Sequence, residues 1–245
     1  MSEDCDEKQS NEHTLGKAIL TAFSDGKLVS IGERPFQEPG RIDRFTPKAL
    51  GANILCQRHN NGLSELDNAA LKLILTLDRF YEDQAGVSGD YDNEFDLFSG
   101  EIVERWMLKM VWGESESYPT NPKIRGEMRR RQLADYLFRD GHLPHGWGLY
   151  VTGHRAGRKV DPERALDIRL EERDGELRSG SLDVGSVRLT FAIGARVPSA
   201  VTAAIYRPSG ILLTRAGTDR HKVAALSWDN TVGVPGEAAI VHFSV

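Results

Sequence analysis

The pattern of apolar and polar positions predicts helices in the middle of the chain. From position 64 to 81, apolar residues recur at steps of three and four, which predicts an amphipathic helix of about five turns. Residues 99–111 repeat this pattern in a second helix. A third helix is predicted over 122–139, because a proline suits its first turn and Gly141 suits its end.

Strand-like patterns occur at both ends of the chain. A short strand is predicted at 27–31 and an apolar stretch at 52–56, with a proline-containing loop at 35–47 between them. In the last hundred or so residues, apolar runs alternate with Gly, Pro, Asp and Asn, which indicates an antiparallel sheet or a small sandwich. The pattern therefore predicts an α+β chain with central helices and a C-terminal antiparallel β-rich domain.

Composition narrows the class of protein. There are 31 Lys and Arg against 36 Asp and Glu, and the net charge of -5 argues against nucleic-acid binding through overall charge. Cys5 and Cys56 are too few for a disulfide scaffold and favour a reducing compartment. The acidic, polar N-terminus and the absence of a long apolar run predict a cytoplasmic protein without membrane association.

One dense basic segment stands out against the acidic balance. Its cationic residues are candidates for phosphate contacts, in which each cation releases counterions from the nucleic acid. They are Lys123, Arg125, Arg129, Arg130 and Arg131. The alternative interpretation is a solvated face of the third helix.

Two short segments hold the residues with the clearest chemistry. The first contains Glu12 and His13, and the second contains Asn53, Cys56, His59 and Asn60. Residues of these types can converge on one metal, where a divalent ion stabilises charge on a phosphate and neutral His activates water. The alternatives are an exposed polar pair for Glu12 and His13, a buried thiol for Cys56, and turn or capping roles for the asparagines.

In these segments the sequence resembles the HNH endonuclease family, whose fold is a ββα-metal module. The resemblance implies that His13 is the base, that Asn53 orients it, and that Glu12 and Asn60 bind the catalytic ion, Mg²⁺ or Mn²⁺. Cys5, Cys56 and His59 would then belong to a degenerate structural zinc site. The resemblance covers the N-terminal third. Together with the sequence pattern, it divides the chain into an HNH-like module at 1–84, a helical segment at 85–141 and a β-rich domain at 142–245.

The chain also departs from this pattern. Lys8 stands where a second cysteine of the first zinc knuckle is expected, Gly16 replaces the usual proline, and the gap from His13 to Asn53 is long. The predicted function is a metal-dependent phosphodiesterase acting on DNA or RNA. The alternative is a non-catalytic binding or scaffold protein on a decayed module, with a partner protein on its β-rich domain.

Overall fold

The computed structural model describes residues 8–25, 27–34, 36–84, 86, 92–139, 141–153, 166–194, 204–215, 217–228 and 238–243. Its secondary structure is mixed, which confirms the predicted α+β class. The helices are α1 Lys17–Ala22, α2 Gln57–Gly62, α3 Ser64–Gln84, α4 Gly100–Ser117 and α5 Glu127–Phe138, with a 3₁₀ turn at Pro47–Leu50. The strands are β1 Gln9–His13, β2 Ser24–Asp25, β3 Leu28–Gly32, β4 Ile42–Phe45, β5 Gly51–Cys56, β6 Glu94–Ser99, β7 Gly148–Gly153, β8 Leu166–Arg173, β9 Glu176–Val184, β10 Val187–Ala192, β11 Ile205–Tyr206, β12 Gly210–Arg215, β13 His221–Ser227 and β14 Ala238–Phe243.

The helices predicted from periodicity are present. α3 and α4 extend past the predicted ends, and α5 begins at Glu127 rather than at the proline. The Ser99 hydroxyl oxygen caps α4 by accepting a hydrogen bond from the Ile102 N–H at 3.4 Å. Trp106, Met107 and Met110 on α4 are fully buried, so they belong to the core.

The main sheet is mixed and has the order β11-β7-β10-β9-β8-β3-β2, with β4 pairing to β3. Its pairs from β7 to β11 are antiparallel, as predicted, whereas β3 and β8 run parallel. A second sheet has the order β14-β12-β13-β6. Here the prediction of an antiparallel C-terminal β-rich domain is wrong for β14. β14 pairs with β12 in parallel, and β6 pairs with the other edge of β13, also in parallel.

Both sheets join strands from different predicted segments. β3 comes from the first segment but pairs with β8 of the last, and β6 comes from the middle segment but pairs with β13. The stretch between β1 and β5 holds α1, β2, β3 and β4, so the long gap from His13 to Asn53 accommodates strands of the main sheet. The boundaries at 84 and 141 remain predictions.

Helix α4 contacts α3, α5 and strands of both sheets. Three charged side chains of this helix, Glu104, Lys109 and Glu114, are at most 4% exposed. Glu104 pairs with Arg207, Lys109 with Glu12 and Glu114 with Arg34. The pairs of Lys109 and Glu114 lie beside β1, since Glu12 is on β1 and Thr14, just after it, donates to Glu114. No helix among the described residues is long and apolar enough to cross a membrane.

Candidate active site

The two sequence segments with candidate chemistry are brought together by one strand pair. β1 and β5 are antiparallel, with Glu12 opposite Ala52 and His13 opposite Gly51. α2 begins directly after β5 and carries His59 and Asn60, both partly exposed. Asn53 is on β5, but its side chain is outside the described residues, as is all of Cys5.

Glu12 is a buried ion-pair partner rather than an exposed polar residue. Its side chain is 5% exposed, and Oε1 forms a short ion pair with Lys109 Nζ from α4. Lys109 Nζ also lies 2.7 Å from both carboxylate oxygens of Asp67 at the start of α3. Burial raises the pKa of Glu12, and the Lys109 ammonium partly offsets this rise.

Gly16 is explained by its approach to Asp67. Its φ of +72° lies in the left-handed region, and a Cβ there would come within 2.9 Å of Asp67 Cγ. Proline, with φ fixed near about -65°, cannot adopt this conformation. Asp67 also accepts a hydrogen bond from Trp106 Nε1 at 3.2 Å. The residue at which the sequence departs from the HNH pattern therefore makes room for the Asp67–Lys109 pair.

His13 is half-buried and its electrostatic surroundings favour the neutral imidazole. Burial lowers the pKa of His13, and the positive charges of Lys17 and Lys109 lower it further. A hydrogen bond to the backbone carbonyl of Pro47 acts in the opposite direction. The Pro47 carbonyl therefore holds the His13 ring, a role that the family resemblance assigns to Asn53.

We expect the imidazole of His13 to titrate below the ordinary histidine pKa of 6.5. Lys17→Met should raise this pKa, because it removes a nearby positive charge from an exposed position. Titration of the histidine ring protons by NMR, with His13→Gln for assignment, measures both. A pKa at or above the ordinary value in the native chain would contradict the proposed environment.

Cys56 and His59 contact each other at the start of α2. Cys56 is a buried free thiol, and its Sγ lies 3.1 Å from His59 Nδ1, while the His59 ring packs on Phe138 at 4.7 Å between centroids. A structural zinc site needs four ligands. Across the part of the chain that is described, no group of three or more His, Cys, Asp and Glu is placed to hold a metal ion. The pair alone does not fit zinc.

The predicted basic residues divide into two groups. Lys123 Nζ donates to the Tyr118 carbonyl at 2.8 Å, Arg129 pairs with Glu176 at 3.1 Å, and the exposed Arg125 lies beside Gly175. Arg130 and Arg131 line a groove of about 1340 Å³ between α2, α4 and α5, and Arg130 Nε also donates to the Ile124 carbonyl at 2.7 Å. Three further arginines, which the sequence analysis missed, line the same groove: Arg58, Arg105 and Arg139.

The donor chemistry of Glu12 and Asn60 fits a hard divalent ion. Mg²⁺ prefers oxygen ligands, keeps several waters and needs only one or two protein carboxylates. Glu12 offers a carboxylate and Asn60 an amide oxygen, but Lys109 already neutralises Glu12. An ion at Glu12 would therefore share this carboxylate with a resident ammonium, which we expect to weaken its binding.

Comparisons with models of protein families, with curated proteins and with solved structures found no match. The function is therefore argued from the chain's own residues.

Proposed function

We propose that this protein hydrolyses phosphodiester bonds of nucleic acids, with His13 as the general base. The observation that carries this proposal is the placement of a half-buried His13 of lowered pKa beside Glu12, on a strand paired with β5 and followed by α2. A base that works near neutral pH must be unprotonated there, and the surroundings of His13 favour that form. The order of Glu12, His13, Asn53 and Asn60 supports the same reaction.

In the proposed reaction His13 accepts a proton from water. The water oxygen forms a bond to phosphorus, and the bond from phosphorus to the leaving oxygen breaks. The Pro47 carbonyl holds the imidazole in orientation, and we propose that Asn53 contributes to this. Glu12 and Asn60 would hold Mg²⁺ or Mn²⁺, which supplies charge stabilisation at the phosphate and the leaving oxygen when bound.

The test compares the native chain with His13→Ala on plasmid DNA, linear DNA and RNA, in Mg²⁺ or Mn²⁺ and in chelator. We expect the native chain to cleave in the presence of metal. The cleavage rate of the variant should be lower by about 100-fold or more, since a general base contributes about 10²–10⁴-fold. Lys48→Met, which changes an exposed residue near the Pro47 turn, should cleave normally. Equal cleavage by native and His13→Ala chains would overturn the proposal.

One observation favours a second candidate, a binding protein on a decayed module. Lys109 occupies the carboxylate that the HNH pattern uses for metal. In that case the native chain and His13→Ala would both fail to cleave, while a nucleic acid or a partner protein would still bind. The same comparison therefore separates the two candidates.

A further inference from the structure

A cavity of about 170 Å³ lies beside the Glu12–Lys109 pair. It is well below the about 300–1,000 Å³ of pockets that take drug-sized ligands. Its walls are largely apolar, and they include two aromatic rings at which a flat ligand can stack, Trp112 and Phe138. Four polar side chains complete the lining: Glu12, Thr14, Lys109 and Glu116.

The polar side of this cavity offers hydrogen-bond acceptors. The donors are engaged, because Lys109 binds Glu12 and Asp67, and the Thr14 hydroxyl donates to Glu114 at 3.4 Å. Glu116 Oε1 is buried and accepts no hydrogen bond from the described residues, although Arg130 Nη2 lies 3.5 Å from it and Lys123 Nζ lies 3.7 Å from Oε2 of the same carboxylate. A buried acceptor that receives no hydrogen bond is complementary to a ligand N–H group, even where cations lie nearby.

The cavity opens next to the arginine-lined groove. The two share Leu63, Trp112, Leu137 and Phe138 in their linings. Four acidic residues, Glu65, Glu101, Glu127 and Asp135, line the groove along with its five arginines. Arg105 Nε is buried without a hydrogen-bond partner among the described residues, and its guanidinium lies 5.2 Å from the centroid of the Tyr136 ring. Cations along a groove beside an aromatic cavity are the arrangement that tracks a single strand and stacks its bases.

We propose that the cavity binds one unpaired nucleobase that carries an exocyclic amino group, while the strand's phosphates follow the arginine groove. A carboxylate accepts hydrogen bonds from such amino groups, whereas thymine and uracil present carbonyl oxygens in that place. A base stacked and paired in a duplex cannot enter, so the substrate is single-stranded at this point. This inference rests on the proposed function and specifies its substrate.

Binding is measured on the full chain in chelator, by fluorescence anisotropy of single-stranded dC, dA and dT homopolymers of about 12 nucleotides. We expect dC and dA to bind about tenfold more tightly than dT, because a hydrogen bond to a charged group contributes at least that factor. A dA·dT duplex should bind more weakly than dA alone.

Glu116→Gln should remove this preference, since an amide donates to the thymine carbonyl as readily as it accepts from an amino group. Glu101→Gln is the matched control and should keep the base preference, because Glu101 lines the groove but not the cavity. Leu63→Trp should weaken binding of every homopolymer by filling the cavity.

Equal affinities for dC, dA and dT, or duplex binding as tight as single-strand binding, would overturn the inference. Loss of the base preference in Glu101→Gln together with its retention in Glu116→Gln would also overturn it. The readout needs neither His13 nor metal. A base preference without cleavage therefore rejects only the proposed function, and cleavage without a base preference rejects only this inference.

Discussion

Replacing Lys109 by methionine is expected to lower the free energy of unfolding by about 3–5 kcal/mol, the range for removing one partner of a buried ion pair. The Lys109 side chain is 3% exposed and pairs with both Glu12 and Asp67. Its removal leaves two carboxylates without their cation, in surroundings where desolvation already raises the pKa of Glu12. Urea unfolding followed by circular dichroism measures the loss.

Controls separate this loss from a general effect of methionine. Lys48→Met at an exposed position should change stability by no more than about 0.5 kcal/mol. Adding Glu12→Gln and Asp67→Asn to the Lys109→Met chain should restore part of the loss, because the uncompensated charges are then gone. An unchanged stability in Lys109→Met at neutral pH would contradict the expected loss.

The pH dependence of Lys109→Met has a definite sign. Without the ammonium, the folded-state pKa of Glu12 should rise further above its unfolded value, so the folded variant binds protons more readily than the unfolded one. The deficit should therefore be small in acid and grow as the pH rises through the folded pKa. Mg²⁺ or Mn²⁺ should stabilise this variant more than the native chain, because Glu12 becomes free to bind the ion.

Local patterns were sufficient to predict the long helices but not the partners of their buried charges. The steps of three and four from Ser64 to Tyr81 report one apolar face, and α3 follows from it. Ser64 and Asp67, three residues apart, have the spacing of a capping box at the start of this helix. In the structure the Ser64 hydroxyl donates to the Asn61 carbonyl and Asp67 pairs with Lys109. Sequence spacing could not reveal a partner so distant along the chain.

The candidate site shows the same division between local and long-range information. Glu12 and His13 were recognised from residue type and order, but a strand at β1 was not predicted, and neither was the ring contact with the Pro47 carbonyl. The basic run identified Arg130 and Arg131. The other arginines of the groove lie on α2, on α4 and just after α5, and only the packing of these helices makes them neighbours.

Helix α4 connects these long-range contacts. Glu114 binds Arg34, which follows β3, through Nε and Nη2 at 2.7 Å each, and Lys109 binds β1 and α3. Glu104 binds Arg207 between β11 and β12. The orientation of α4 thus controls both the Glu12 carboxylate and the wall of the cavity that contains Trp112 and Gly113.

Glu104→Leu is expected to cause a second large loss of stability, also about 3–5 kcal/mol. Glu104 is fully buried and accepts hydrogen bonds from the Tyr136 hydroxyl, from the Leu149 N–H at 2.8 Å, and from Arg207 Nε and Nη2 at 3.0 and 2.7 Å. Leucine satisfies none of these donors, and buried donors without acceptors are costly.

A double-mutant cycle decides whether the Glu104 loss comes from the ion pair. Arg207→Met alone leaves a buried carboxylate, while the double variant removes both charges, so its loss should be smaller than the sum of the two single losses. Additive losses would instead assign the effect to packing near Gly148, where a Cβ would lie 2.2 Å from Glu104 Oε2. The effect of Glu104→Leu on dC binding can be compared with that of Lys109→Met, because the cavity borders Lys109 but not Glu104. If α4 moves as a unit, Glu104→Leu also weakens dC binding, and if the helix holds its position, stability falls while dC affinity is unchanged.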